Sequence, residues 1–370
     1  MKVLILSSKF GMGHLSAARS LAEQIRQSGS GHKVLLADIF DAALPLNSDA
    51  LARGYGMFVS HSQRLYNVAY QHSTHDRGTD TLSLAERYAV RRFAAQMRSL
   101  QPDVVVATYS FSARLTALYK RLYHSSLPLV TCITDVGAHQ VWLNPETDLY
   151  LVAAPETRQC LLQSGVDAQR IAVTGVPVRS RFCPQPELRQ ENELLLMGGG
   201  LGMLPEDEQL YRALSAIEGL HITVLCGKNE ALRRRLEGRF ANLSAISFTA
   251  VPEQYMQRAS LLLSKPGGVT TFEAIACELP LLTFMPALRQ EQANCRLLLE
   301  HDMGMLLHDA PSTAAAQITA LLRDRQRLQA MQQAMHRFHA KLQPQAFLDY
   351  LGELQSKTTT KETGCETWAC

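Results

Sequence analysis

Residues 264–273 read Ser-Lys-Pro-Gly-Gly-Val-Thr-Thr-Phe-Glu, SKPGGVTTFE, directly behind the apolar run ASLLL at 259–263. An apolar run that breaks on Pro-Gly-Gly and resumes with helix-compatible residues reads as a buried strand, a sharp loop and a helix start near residue 270. Two readings of that loop compete. In one, Thr270 caps the helix and Glu273 returns to the cap N–H, forming a capping box. In the other, the glycines let a ligand approach the N–H groups of a helix start, whose positive end favours an anion. A cap alone has no need of the preceding Pro-Gly-Gly. The next strand, PLLTF (280–284), runs into MPALRQEQAN (285–294), which sets Gln290, Glu291 and Asn294 at a second helix start, Gln290 and Asn294 on one face. Two such loops at neighbouring strand ends suit a phosphorylated polyol.

The same alternation extends in both directions. VLILSS (3–8), KVLLAD (33–38), PDVVVAT (102–108), PLVTCIT (128–134), DLYLVA (148–153) and RIAVTG (170–175) read as strands separated by helical patterns. Proline and charge break the pattern over 176–193, and a second series opens with ELLLMGGG (193–200), HITVLCG (221–227) and LSAISFTA (243–250). Strands alternating with helices predict parallel sheets of βαβ units. The expected architecture is α/β: two doubly wound, Rossmann-like domains facing a cleft, residues 1–182 and 183–352, followed by a frayed polar tail over 353–370.

Length agrees, since 370 residues exceed a typical single core. A net charge of +3 gives no ground for nucleic-acid binding, yet the charge is unevenly shared. Residues 1–180 hold 18 Lys and Arg against 13 Asp and Glu, and residues 181–370 hold 19 against 21. No run approaches the roughly 20 apolar residues of a membrane span, and Val3–Leu6 is too short for a signal segment. Eight scattered cysteines without a CxxC pair read as reduced thiols of a cytoplasmic protein. No His/Cys cluster or Asp-x-Asp has metal-ligand spacing, so neither metal nor cofactor is expected.

Three more loops are candidates for chemistry. SSKFGMGHLSA (7–17) is a strand, Gly-x-Gly, helix junction that suits an anion. A dinucleotide fingerprint wants a third glycine where Ser16 stands, although Asp38 occupies the place of a ribose-binding acid, so an NAD-dependent oxidoreductase competes on local grounds. His14, in the first helical turn, is an acid–base candidate or a packing histidine. TDVGAHQVW (134–142) gathers Asp135, His139 and Trp142 at a strand end, for a sugar or acceptor headgroup or as a hydrogen-bonded structural loop. LLLMGGGLGM (194–203) again suits a pyrophosphate.

Taken in order, these motifs resemble glycosyltransferase family 28, in particular the monogalactosyldiacylglycerol synthase and processive diacylglycerol glucosyltransferase group. The resemblance runs over about residues 1–310 and rests on GMGHLSAARSL, TDVGAHQVW, VTGVPV, LLLMGGGLG and, most specifically, KPGGVTTFEAIACELPLL with RQEQAN. It displaces the oxidoreductase reading and implies a GT-B fold. It also implies inverting, metal-independent transfer of a hexose from a UDP-sugar to a lipid acceptor such as diacylglycerol. A soluble acceptor and a UDP-sugar epimerase of the same fold stay open. By the same resemblance the catalytic residues are His14, expected as the base or its close partner, and Asp135, the rival or orienting carboxylate. Gly199, Gly200, Gly267, Gly268, Thr270 and Thr271 meet the diphosphate, and Glu273 holds the ribose. Gln290, Glu291 and Asn294 meet the sugar, the uracil lies near Phe248 to Val251, and Gly13, Tyr109, His139 and Trp142 belong to the acceptor side.

Two departures fall in the acceptor half. Met12 stands for the middle glycine of the opening motif, and Tyr109-Ser110 where diacylglycerol-type members commonly show His-Pro. Residues 51–98 place Tyr55, Met57, Phe58, Tyr66 and Tyr70 among Arg53, Arg64, Arg87, Arg91 and Arg92. Helices of that make-up predict an anionic membrane surface as a partner and a peripheral location on the cytoplasmic membrane face, or else a packed core with a solvated basic face.

Overall fold

The computed structural model describes residues 1–9, 12–43 and 84–363. Tyr55, Met57, Phe58, Tyr66 and Tyr70 lie outside the described residues, as do Arg53 and Arg64.

Six parallel strands form the first sheet: β1 (Lys2–Ser7), β2 (Lys33–Asp38), β3 (Val104–Ala107), β4 (Leu129–Cys132), β5 (Leu149–Val152) and β6 (Ile171–Val173), in the order β2-β1-β3-β4-β5-β6. The inner strands are continuous apolar runs because helices cover both faces; every residue of β3, β4 and β5 is buried. Helix α1 (Met12–Gln27) turns Ala17, Ala18, Leu21, Ala22 and Ile25 inward, the period-3.6 face anticipated from sequence. Also in this half lie α2 (Ile39–Ala43), α3 (Leu84–Leu100), α4 (Ser110–Leu122) and α5 (Pro155–Gln163).

The second sheet is again all parallel: β7 (Glu193–Met197), β8 (His221–Leu225), β9 (Leu243–Ile246), β10 (Leu261–Ser264), β11 (Leu281–Thr283) and β12 (Gly304–Leu306), in the order β12-β11-β10-β7-β8-β9. Its helices are α6 (Glu208–Ser215), α7 (Glu230–Leu236), α8 (Pro252–Arg258), α9 (Gly268–Ala276), α10 (Arg289–Glu300), α11 (Pro311–Arg323) and α12 (Arg325–His339). Strand β12 carries only three half-buried residues, too few to make a sequence signal.

Both orders reverse direction once, between β1 and β3 in the first sheet and between β7 and β10 in the second. Loops leaving the carboxyl ends of such neighbours diverge and open a crevice. The motif loops that open at Ser8, Gly198 and Lys265 leave those strand ends. One apolar cluster spans the two halves, joining Ala17, Val136 and Ala154 to Phe272, Ile275 and Leu297.

The last helix, α13 (Ala346–Thr363), departs from expectation twice. It carries helix well past residue 352, where the sequence reading began a frayed tail. It also returns to the first sheet, where Phe347 and Leu351 are wholly buried beside Val3, Ile5 and Ala18. In α3 the apolar residues Val90, Phe93 and Met97 pack in the core, while Arg87, Arg91 and Arg92 are exposed. Among the described residues no helix is long and apolar enough to cross a membrane.

Candidate active site

The opening loop answers its own question once the helix start is located. The N-cap of α9 is Gly267, without a side-chain cap, so the helix begins three residues earlier than it would with Thr270 as its cap. Thr270 is thus already inside the first turn and Glu273 lies deeper still. The capping box does not form. The two glycines have different reasons. A Cβ on Gly268 would stand 1.9 Å from the Thr134 carbonyl oxygen, so the first half of the chain presses directly on the start of α9. A Cβ on Gly267 would meet no atom within 4 Å, because that side opens into a cavity.

The cavity measures about 730 Å³ and lies between the carboxyl ends of the two sheets. On its first wall the ring of His14 is half-buried, with Nδ1 2.9 Å from Thr134 Oγ1. Tyr109 stands edge-on to it at 5.1 Å and Trp142 is tilted at 6.3 Å. Loss of water around the imidazole pushes its pKa down to about 4, against a hydrogen bond from the ring to the Thr108 backbone carbonyl. His14 is therefore a neutral imidazole near pH 7. Asp135, on the same wall, is pushed up to about 6, chiefly by burial and also by Glu291; a hydrogen bond from Asn294 and the charge of Lys265 pull the other way. Gly13 completes this wall. His139 is not part of it: its Nδ1 accepts from Val141 N–H at 3.3 Å and caps the short turn over Gln140–Trp142.

The second wall carries Gly199, Gly200, Gly267, Gly268, Thr270, Glu273, Gln290 and Glu291, with Phe248 more than half exposed at its edge. After β7 the carbonyls of Gly198, Gly199 and Gly200 turn inward and accept from Met203, Gly202 and Lys228 N–H groups. Gly199 holds a φ of +65°, which favours glycine. Glu273 is pushed up to about 8 by burial and by the neighbouring Glu253, against the charge of Arg179. Three expected residues stand off this wall. Val251 is displaced by its neighbours Ser247 to Ala250, which reach the cavity. Thr271 is wholly buried under the helix start, its hydroxyl unpaired among the described residues. Asn294 is wholly buried between the two halves, with every polar atom taken by protein groups.

Lys265 and Arg179, two of the cations in the cavity wall, had no role in the sequence reading. Lys265 Nζ lies 2.7 Å from Glu291 Oε1. Arg179, from the segment joining the two halves, pairs with buried Glu253 at 3.3 Å, and Arg181 meets the same carboxylate at 3.2 Å. A lysine at a strand end reads as solvated by default; only its place beside the topological switch of the second sheet marks it out. Arg179 sits in a stretch that reads as linker. Among the described residues no group of three His, Cys, Asp or Glu side chains is placed to hold a metal ion.

Comparison with known proteins accords with this geometry. Residues 14–178 match the monogalactosyldiacylglycerol (MGDG) synthase family, and residues 195–345 match the glycosyltransferase family 28 C-terminal domain. The chain belongs to glycosyltransferase family 28. It is 28% identical over 352 residues to the processive diacylglycerol beta-glucosyltransferase of Bacillus cereus (strain AH187), covering 90% of this chain and 89% of that one. The protein of the same description from Bacillus thuringiensis (strain Al Hakam) is also 28% identical, over 348 residues and the same shares. Among solved structures, the MurG of Acinetobacter baumannii superposes with a TM-score of 0.65 at 18% identity over 96% of this chain and 100% of that one. The spinosyn rhamnosyltransferase SpnG gives 0.65 at 17% identity, over 95% and 100%. The Anabaena Alr3699/HepE complex with UDP-glucose gives 0.56 at 15% identity, over 96% and 100%. The fold is GT-B, and the protein is a glycosyl-transferring enzyme.

Proposed function

We propose that this glycosyltransferase is inverting and metal-independent, moving a hexose from a UDP-sugar to a lipid acceptor such as diacylglycerol. The observation that carries the reading is the two-sided cavity. Asp135 and His14 on one wall face two glycine-rich loops, a helix N-terminus and Lys265 on the other. Its relatives over 90% of the chain are described as diacylglycerol glucosyltransferases. The first half receives the acceptor and the second the donor. The acceptor oxygen attacks the anomeric carbon opposite UDP and forms the new C–O bond. The old C–O bond breaks with its electron pair leaving on the diphosphate, and the acceptor proton passes to Asp135. Asp135 takes this part because its pKa of about 6 is the nearer of the two to a working pH around neutrality. His14, neutral, holds the acceptor hydroxyl through the ring nitrogen not bonded to Thr134.

Charge growing on the diphosphate meets the N-terminus of α9, the 198–203 backbone and the Lys265 ammonium, which is the work a divalent ion does in other transferases. Glu273 receives the ribose hydroxyls, Gln290 and Glu291 the sugar, and Ser247 to Ala250 the uracil. The enzyme works as a peripheral protein on the cytoplasmic membrane face. A panel of UDP-hexoses with diacylglycerol in mixed micelles, chelator included and products read by mass spectrometry and anomeric NMR, tests this. A hexosyl-diacylglycerol of inverted configuration is the expected product. Transfer only to a soluble alcohol removes the lipid acceptor, and interconversion of UDP-sugars without any acceptor points to an epimerase.

A further inference from the structure

Asn294 sits on α10, in the half expected to hold the donor, but contributes nothing to the cavity wall. It is 0% exposed. Its Oδ1 accepts from the Val136 N–H at 2.9 Å; its Nδ2 donates to the Pro266 carbonyl at 2.9 Å and to Asp135 Oδ1 at 3.3 Å. Val136 and Asp135 follow β4 of the first sheet, while Pro266 precedes α9 in the second. One buried amide therefore joins the loop that carries Asp135 to the loop that carries Gly267. The surrounding backbones are as close as sterics allow. A Cβ on Gly268 would lie 1.9 Å from the Thr134 oxygen, and one on Gly137 would lie 3.2 Å from Ala293 Cβ, one residue before the amide. Only an amide offers an acceptor for Val136 and two donors for Pro266 and Asp135 from one planar group.

We propose that Asn294 is a positioning residue that ties the donor loop to the Asp135 carboxylate, and is not a ligand of the transferred sugar. The proposal rests on Asp135 receiving the acceptor proton. Other groups bear on that carboxylate: Glu291 and Lys265 with opposite charges from α10 and the donor loop, the N-terminus of α9, and Thr134 with neutral His14 from its own half. Against the burial that disfavours its charge, the Asn294 N–H is the neutral donor that favours it. A shift of the donor loop is thus transmitted through one side chain to the orientation and the basicity of Asp135.

The test uses the full chain with Asn294→Ala, Asn294→Asp, Gly137→Ala, Asp135→Asn and the double variant Asn294→Ala with Asp135→Asn. Readouts are kcat and kcat/KM against pH and UDP affinity by calorimetry. Asn294→Ala should move the acid limb of kcat/KM up by about half a pH unit or more and cut kcat about tenfold or more, with UDP affinity within about twofold of wild type. Asn294→Asp should move the limb further, because a second carboxylate then faces Asp135. Gly137→Ala displaces α10 without removing a polar group, and should move the limb the same way even if the Asn294 variants fail to fold. In the Asp135→Asn background, Asn294→Ala should cost no further kcat. A raised donor KM with an unmoved limb makes Asn294 a sugar ligand and overturns the proposal. If Asp135→Asn alone keeps wild-type kcat and limb, the proton-acceptor reading fails first and takes the proposal with it.

Discussion

Asp135 and His14 share a wall yet differ by two pH units in where they titrate, about 6 against about 4, because burial raises a carboxyl and lowers an imidazole. The difference separates their roles. With Asp135 as the base, kcat/KM climbs with pH through about 6 as the carboxyl loses its proton, and His14 is neutral on both sides of that step. Asp135→Asn should abolish the limb and cut kcat by roughly 10²–10⁴, the usual range for a lost general base. A limb near 4 that survives Asp135→Asn, with the large loss on His14→Ala instead, hands the proton to His14. Glu273 gives a second test, of binding and of stability. Losing a carboxylate on two ribose hydroxyls should weaken UDP by about 1.5–3 kcal/mol in Glu273→Ala, the scale of hydrogen bonds to a charged group. The same carboxyl is pushed up to about 8 when folded, above its unfolded value, so the folded protein binds this proton more tightly than the unfolded chain does. Stability from this group is therefore complete below the unfolded pKa and is lost as pH rises through about 8. Glu273→Gln should accordingly melt above wild type at about pH 9 and converge with it near pH 4, as scanning calorimetry would show. A lower melting temperature for Glu273→Gln at both pH values would mean that the carboxyl braces the fold.

At the scale of the element, the start of α9 separates two glycines that look alike in the sequence. Gly268→Ala drives a methyl into the Thr134 carbonyl and should cost about 1–3 kcal/mol, as overpacking does, while loosening the contact between the halves. Gly267, at a φ of −67° with open space beside it, should accept alanine without loss of melting temperature. Its methyl then occupies the cavity and should raise the Kd for UDP. Equal melting temperatures for the two alanine variants would contradict this division. The loop at 264–268 was legible because a buried strand, a Pro-Gly-Gly break and a helix are all local patterns. So were the strand-end positions of His14, Asp135 and Gly199, since βαβ alternation fixes which loops fall at carboxyl ends. What escaped was set by contacts far apart in the chain. Thr270 looked like a cap because Thr-x-x-Glu fits the capping pattern, and only the press of Thr134 on Gly268 shows that the helix starts earlier. Gln290 and Asn294 share a helix face by spacing, yet one reaches the cavity and the other is consumed by partners at Val136 and Asp135. Phe347 and Leu351 follow a run of helices in the second half, and nothing local says that they bury against β1.

At the scale of the whole molecule, the nature of the acceptor turns on how the first half meets a surface. The basic excess lies in residues 1–180, and α3 shows how part of it is displayed. Val90, Phe93 and Met97 face the protein core, while Arg87, Arg91 and Arg92 face outward with the exposed Tyr88 among them. Through these arginines the helix can meet an anionic membrane by charge. Attraction of that kind is worth about 1 kcal/mol per basic residue near an anionic surface and fades within a Debye length. Full-length protein should therefore co-sediment with vesicles rich in anionic lipid at low salt, bind neutral vesicles poorly, and detach as salt rises. Arg91→Glu with Arg92→Glu replaces two attractions by two repulsions and should weaken anionic-vesicle binding by roughly tenfold or more. Because neither arginine lines the cavity, the same variant should keep wild-type kcat on a short-chain acceptor presented in neutral micelles. Protein that ignores anionic vesicles at low salt yet glycosylates a soluble alcohol would remove the lipid surface from the reading. The cavity wall already names where such a branch would differ, since Met12, Tyr109 and Ser110, the residues that depart from the diacylglycerol pattern, all line it on the acceptor side.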